Sequence, residues 1–191
     1  MRLGIFGGSF DPPHLGHLLP VIDAAEALGL DTVRFVPAAQ QPFKVDDGGA
    51  VATGPDRLAM TERLVAGIPG FVADASEINR TGLSFTADTV AEMAAAYPSA
   101  ELVLLLGADA YTLFAKWRDP ERIRELATVA VLVRGDDAPP AKDHASVQML
   151  QTRRVDISST ELRARVADGR TIRGFMPDAV AEYIAAHRLY R

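Results

Sequence analysis

The sequence contains no cysteine. That excludes a disulfide framework, a thiolate zinc site and a cysteine nucleophile. Positive charge is in short supply as well: 20 Lys and Arg stand against 25 Asp and Glu, a formal charge of −5. Bulk attraction is therefore not available for coating nucleic acid, and any bound anion must be gripped by a local pocket. Long hydrophobic runs are missing too. The longest clean one, Leu102–Leu106, is strand-sized and falls far short of the ~18 residues of a membrane span. Polar motif residues follow directly on Leu3-Gly4-Ile5-Phe6, which leaves no room for the ~7–15-residue apolar stretch of a secretory leader. The expectation is a cytoplasmic protein that partners neither a membrane nor polymeric nucleic acid. Fixed-period repeats and low-complexity tracts are also absent.

What remains is ordinary for a globular chain: 191 residues, 48% apolar and 24% charged, enough to bury one core. Apolar strand-sized runs alternate with helical patterns. This predicts an α/β fold, a Rossmann-like parallel sheet with helices on both faces. Strands are expected at 3–6, 32–36, 71–73, 102–106, 128–133 and 153–157. Helices are expected at 15–28, 56–66, 86–97, 120–126, 159–166 and 177–187, with Gly29 and Pro98 as stops. The chain reads as one domain, 1–191, in which 158–191 is a helical C-terminal subregion. Two stretches lack a periodic face, 37–55 and 135–145. The first has the length of a functional loop, and the second carries no identifiable motif.

Strand one leads into Gly7-Gly8-Ser9-Phe10-Asp11-Pro12-Pro13-His14-Leu15-Gly16-His17. Gly7 and Gly8 permit a tight turn and close approach of backbone to a ligand. Ser9 adds a hydroxyl. The helix that follows aims its N-terminal amides and positive dipole end at the same place, an anion site. His14 and His17 share one face of the helix start and can donate hydrogen bonds to phosphate oxygens. Gly16 clears space between them. Other readings stand beside this one: a plain glycine turn, a helix cap made by Pro-Pro-His, or a metal pair. No third ligand is convincingly placed for a metal, and i,i+4 is the commoner zinc spacing. Neither a Walker A loop nor Gly-x-Gly-x-x-Gly is present.

A second segment, Ile157-Ser158-Ser159-Thr160-Glu161-Leu162-Arg163, follows the last expected strand and opens a helix. Ser158 with Glu161 fits a capping box. The same segment leaves amides facing outward, with Arg163 one turn in and able to fork onto phosphate. The two readings are compatible.

Together these segments resemble the two signatures of the nucleotidylyltransferase superfamily, the front one without departure. The middle of the chain is similar to bacterial nicotinate mononucleotide adenylyltransferases. The likeness rests on Ser84-Phe85-Thr86-Ala87-Asp88-Thr89, Gly107-Ala108-Asp109, Lys116-Trp117, the loop with Pro37, Gln40, Pro42 and Lys44, and Met176–Val180 with Tyr183-Ile184 and Leu189-Tyr190. Phe43 and Ala39 stand where that family often has His and Gln, and Arg134-Gly135 only partly meets its Arg-Pro-Gly.

The resemblance implies the nucleotidylyltransferase fold and transfer of AMP from ATP to nicotinate mononucleotide, giving deamido-NAD and pyrophosphate. It implies His14, His17, Lys44 and Arg163 as catalytic residues. ATP would meet Gly7, Gly8, Ser9, Phe10, His17, Gly107, Asp109, Ile157, Ser158, Ser159, Thr160 and Arg163. The mononucleotide would meet Ser9, Lys44, Ser84, Phe85, Thr86, Asp109 and Trp117. Trp117, the only tryptophan, would stack on the pyridine ring, an interaction of roughly 1–3 kcal/mol. Amides at 84–86 would hold the ring carboxylate, and Asp109 the ribose hydroxyls. Mg²⁺ would arrive with ATP, not in a protein cage. Blander readings remain for three positions: Trp117 as a core residue, Ser84 or Thr86 as an N-cap, and Asp109 as the cap of a short helix through Tyr111. A phosphopantetheine adenylyltransferase shares the front motif but would not show Lys116-Trp117 or Ser84-x-Thr86. A nucleotide sensor without turnover is the rival from another class. Homo-oligomerisation is left open.

Overall fold

The computed structural model describes residues 1–40, 50–141 and 146–191. The strand β4 (Glu101–Gly107) is apolar on both faces, Leu102, Leu104 and Leu106 on one and Val103 and Leu105 on the other. A strand of that kind must lie inside a sheet covered on both sides. It does: β4 pairs in parallel with β1 (Arg2–Gly8) and β5 (Ala127–Arg134). The sheet extends through β2 (Thr32–Pro37) to β3 (Phe71–Ala73) on one flank and to β6 (Gln148–Thr152) on the other. All pairings are parallel, in the order β3-β2-β1-β4-β5-β6.

The helices are α1 (Leu15–Leu28), α2 (Gly54–Val65), α3 (Ser76–Asn79), α4 (Thr86–Ala96), α5 (Ala108–Thr112), α6 (Pro120–Leu126), α7 (Ser159–Ala167) and α8 (Asp178–Ala186). Two hydrophobic cores result. Val33, Phe35, Val103 and Leu105 pack under α1, α2, α7 and α8. Leu3, Ile5, Leu104 and Val131 pack under α4 and α6. The expected doubly covered parallel sheet is present. α1 spans the predicted residues, and Gly29 closes it in the left-handed conformation (φ 59°).

Two expectations fail. The last strand is Gln148–Thr152, not 153–157. Beyond Thr152 the chain leaves the sheet because its polar groups are claimed elsewhere. The Arg153 amide and guanidinium both donate to Asp23, and Arg154 pairs with Asp156 and Asp137. Gly7 and Gly8 do not form the turn either. They continue β1, opposite Val36 and Pro37. The chain turns instead at Ser9–Pro12, with Phe10 at φ 50° and a cis bond between Asp11 and Pro12.

The strand order reverses between β1 and β4, so the carboxyl ends of those two strands open a crevice. Open α/β sheets bind ligands at this switch point.

Candidate active site

A cavity of about 770 Å³ fills that crevice. Gly7 and Gly8 at the end of β1, Gly107 at the end of β4 and Asp109 in α5 line it, together with Ser84, Phe85, Thr86, Lys116 and Trp117. The sequence thus placed a scattered set of residues on one surface. Trp117 is half-buried, with its ring 5.4 Å from Phe114, and also faces the cavity. Its position is compatible with both the core and the ligand-stacking readings. Asp109 is not a helix cap, since Gly107 holds that position in α5 and makes no side-chain cap bond.

Ser84 is not a cap either. Phe85 occupies the N-cap of α4, again without a side-chain cap bond, and both Phe85 and Thr86 line the cavity. The Ser84 hydroxyl is spent inward: it accepts from the Ala39 amide (2.9 Å), and its own amide donates to the Gln40 carbonyl (2.9 Å). It also bonds Glu77, a buried carboxyl among the residues that line the cavity. Burial pushes the Glu77 pKa up, while hydrogen bonds from Thr89 and Ser84 and the charge of Arg80 pull it back. Sequence reasoning missed Glu77. It also missed Arg118, which lines the cavity, lies over the Phe85 ring at 4.6 Å and pairs with Asp88 at 3.3 Å. A lone acid in a four-residue helix and an arginine beyond the Lys-Trp pair carry no periodic signal.

The remaining predicted residues gather beside this cavity, not within it. His14 is the N-cap of α1, and the two histidines form a reciprocal capping box. The Nδ1 of His14 accepts from the Gly16 amide (3.1 Å), and that of His17 from the His14 amide (3.3 Å). Both Nε2 atoms must then carry the proton of the neutral tautomer and act as donors. The rings lie against each other, with centroids 3.8 Å apart. The capping reading is present, and it engages one nitrogen of each ring. Gly16 has a different role from the one expected. A Cβ there would stand 2.9 Å from the His14 ring and 3.2 Å from the Ile157 carbonyl, so the glycine lets the two motif segments close on each other.

Those segments do meet. The Ser159 hydroxyl donates to the Pro12 carbonyl (2.8 Å) and Arg163 to the Asp11 carbonyl (2.8 Å), with Thr160 bracing the same guanidinium at 3.3 Å. Ser158 caps α7 by accepting from the Glu161 amide (3.1 Å). Phe10 departs from its expected role. The residue as a whole is 1% exposed and its ring packs against Phe6 and Phe35, so it is a core residue with almost no surface to offer a nucleotide. Lys44 lies outside the described residues, as do Gln41, Pro42 and Phe43.

Burial, reinforced by the charge of Arg134, lowers the His14 pKa to about 4. The folded value lies below the ordinary ~6.5, so the unfolded chain takes up the proton first as pH falls. The stabilisation is complete above pH ~6.5 and drains away toward pH ~4. Urea unfolding at pH 7 and pH 5 should show a loss of about 2 kcal/mol from this group alone. His14→Asn keeps a good capping residue and should remove that increment of pH dependence. An unchanged pH slope in the variant would contradict the assignment.

A doubly covered parallel sheet with phosphate-type donors and a ligand cavity at its switch point is the architecture of a nucleotide-handling α/β transferase. Residues 5–165 match the cytidylyltransferase-like family model. The chain is 48% identical to a nicotinate-nucleotide adenylyltransferase of Gemmatimonas aurantiaca, over all of this chain and 93% of that protein. It is 44% identical to one of Thermus thermophilus over the whole of both. Its fold superposes on Plasmodium falciparum nicotinic acid mononucleotide adenylyltransferase complexed with NaAD, with a TM-score of 0.75 at 16% identity, covering 99% of this chain and 97% of that one. The chain belongs to the cytidylyltransferase-like family and, within it, to the nicotinate-nucleotide adenylyltransferases.

Proposed function

We propose that this protein transfers AMP from ATP to nicotinate mononucleotide, forming deamido-NAD and pyrophosphate in NAD biosynthesis. One observation carries the reading. A cavity of about 770 Å³ has Trp117 in its wall and Gly7 and Gly8 at its edge, and the turn that follows those glycines leads to a pair of capped imidazoles and a braced arginine. The reaction needs those two halves side by side, one for each substrate.

The 5′-phosphate of the mononucleotide attacks the α-phosphorus of ATP in line. A new phosphorus–oxygen bond forms as the bond to the β-phosphate bridging oxygen breaks, and pyrophosphate leaves with the electron pair. A phosphate is already largely dianionic near neutral pH, so no general base is required. The task is positioning two polyanions and stabilising charge on the transferred phosphoryl group. His14 and His17 present Nε2 donors to its oxygens. Arg163, fixed by the Asp11 carbonyl and Thr160, supplies a permanent positive charge for the leaving phosphates. Trp117 takes the pyridine ring. The uncapped start of α4 takes the ring carboxylate, which favours nicotinate over nicotinamide. Mg²⁺ enters as part of the ATP substrate, held by phosphate oxygens and water. No group of three or more His, Asp or Glu side chains that could hold a metal gathers among the described residues. None of their helices is long and apolar enough to cross a membrane, and we place the enzyme in the cytoplasm.

The decisive test measures pyrophosphate release from ATP with nicotinate mononucleotide, nicotinamide mononucleotide or phosphopantetheine as acceptor. Turnover with the first well above the others is expected. Tight ATP binding with no turnover on any of them would instead mark a sensor. In the same assay Trp117→Ala should raise the KM of the mononucleotide about tenfold or more, the scale of one lost ring stack, and leave the KM of ATP nearly unchanged. Equal changes in both would remove Trp117 from the ring site.

A further inference from the structure

We propose that Tyr190 is a positioning residue for the transfer reaction, acting through Asp11 on the turn that carries His14 and holds Arg163. The inference rests on the assignment of His14, His17 and Arg163 to the phosphates.

Tyr190 lies just beyond α8 and is 9% exposed. Its hydroxyl donates to Oδ1 of Asp11 at 2.7 Å. The same carboxylate accepts from the amides of Val51 (2.6 Å) and Ala52 (3.1 Å), which lead into α2. Asp11 itself is 4% exposed and sits three residues before His14. Its carbonyl is the acceptor for Arg163, and the next carbonyl, that of Pro12, is the acceptor for Ser159. One carboxylate therefore locks the turn whose backbone holds both halves of the phosphate cluster.

The chain near Tyr190 is bent inward at some cost. Arg188 (φ 54°) and Tyr190 (φ 64°) both adopt the left-handed conformation that non-glycine residues seldom take. A conformation of this kind persists only where its surroundings over-determine it. Burial of the ring and the contacts of its hydroxyl, to Asp11 and at 4.0 Å to the Met60 sulfur, supply that restraint. An apolar plug would need only the ring. The hydroxyl adds a third, directional donor to a carboxylate already holding two amides, and so fixes its orientation. Burial, and then the Asp11 carboxylate, push the phenol pKa upward, so the group remains a donor through the working pH range.

The test compares Tyr190→Phe, Asp11→Asn, His17→Ala and the double variant Tyr190→Phe/His17→Ala in the full chain, by steady-state kinetics and thermal melting. Tyr190→Phe keeps the ring, so its Tm should fall by less than about 4 °C. Its kcat should fall about tenfold, below the ~10²-fold that a 1 Å misplacement can cost, with both KM values within about twofold. Asp11→Asn should lose kcat at least as severely. If Tyr190 works through the histidine turn, the double variant should be hardly slower than His17→Ala alone. A purely structural role would move Tm and leave kcat alone. Unchanged kcat in Tyr190→Phe, or losses that multiply fully in the double variant, would overturn the proposal while leaving the histidines' assignment intact. A full-speed His17→Ala enzyme would overturn that assignment and this inference together.

Discussion

His17→Ala is expected to reduce kcat by about 10²–10³, the scale of one lost oxyanion donor. The magnitude follows from how tightly the ring is held. Its Nδ1 accepts the His14 amide, its edge meets the Phe10 ring at 5.2 Å and 72°, and its face lies against His14. A donor so fixed needs no reorganisation as charge builds on the phosphoryl oxygens. The KM values for ATP and mononucleotide should change by only a few-fold, because the bond strengthens most in the transition state. The variant also loses half of the capping box, which costs about 1 kcal/mol of stability. Assays well below the melting temperature separate that loss from the kinetic one. Near-normal turnover in a folded His17→Ala protein would refute the role.

The motif side of this site was legible because its pattern is local. A strand ending in Gly7-Gly8, then two histidines three apart, can be read from a dozen residues. From the sequence, capping and anion binding stand as rival readings at His14 and as compatible ones at Ser158. The structure shows the caps themselves: His14 Nδ1 accepts from the Gly16 amide, and Ser158 caps α7, whose Ser159 and Arg163 bond the front turn. The misread strand has a physical cause. Residues 154–157 alternate polar and apolar as a strand should, but ion pairs claim the polar groups of Arg153, Arg154 and Asp156. The true edge strand, Gln148–Thr152, is short and only partly buried, and so gives a faint pattern.

What could not be read is what holds the site in place. Asp11 and Tyr190 are 179 positions apart, and Ser9 and Arg57 are 48 apart. No periodicity links such pairs. In sequence Arg57 is one charged residue near the start of a helix, where solvent exposure is the ordinary expectation. In the fold it is 2% exposed and reaches across two loops. Buried polar residues of this kind are invisible to pattern reading, because their partners exist only after the sheet has formed.

That placement makes Arg57→Met the most destabilising change expected outside the apolar cores. The guanidinium donates to the carbonyls of Ala52 (3.2 Å), Ser9 (2.9 Å), Ala38 (2.6 Å) and Ala39 (3.2 Å). It also faces the buried Asp11 carboxylate. Methionine would keep most of the stem packing and remove every one of those donors. Each carbonyl left dry costs about 1–3 kcal/mol, partly relieved where water can enter. A buried carboxylate stripped of its counter-charge belongs to the class of changes that cost 3–5 kcal/mol. These terms overlap, since all depend on one guanidinium, so the net expectation is about 3–5 kcal/mol, a large part of the 5–15 kcal/mol that stabilises a domain. Urea unfolding should show the midpoint falling with the slope unchanged. Arg57→Lys should recover less than half of the loss, because a single ammonium cannot span carbonyls on two loops as a planar fork does. A loss below about 1 kcal/mol in Arg57→Met, or full recovery in Arg57→Lys, would mean that the loops beside the reaction centre are held by something other than this side chain.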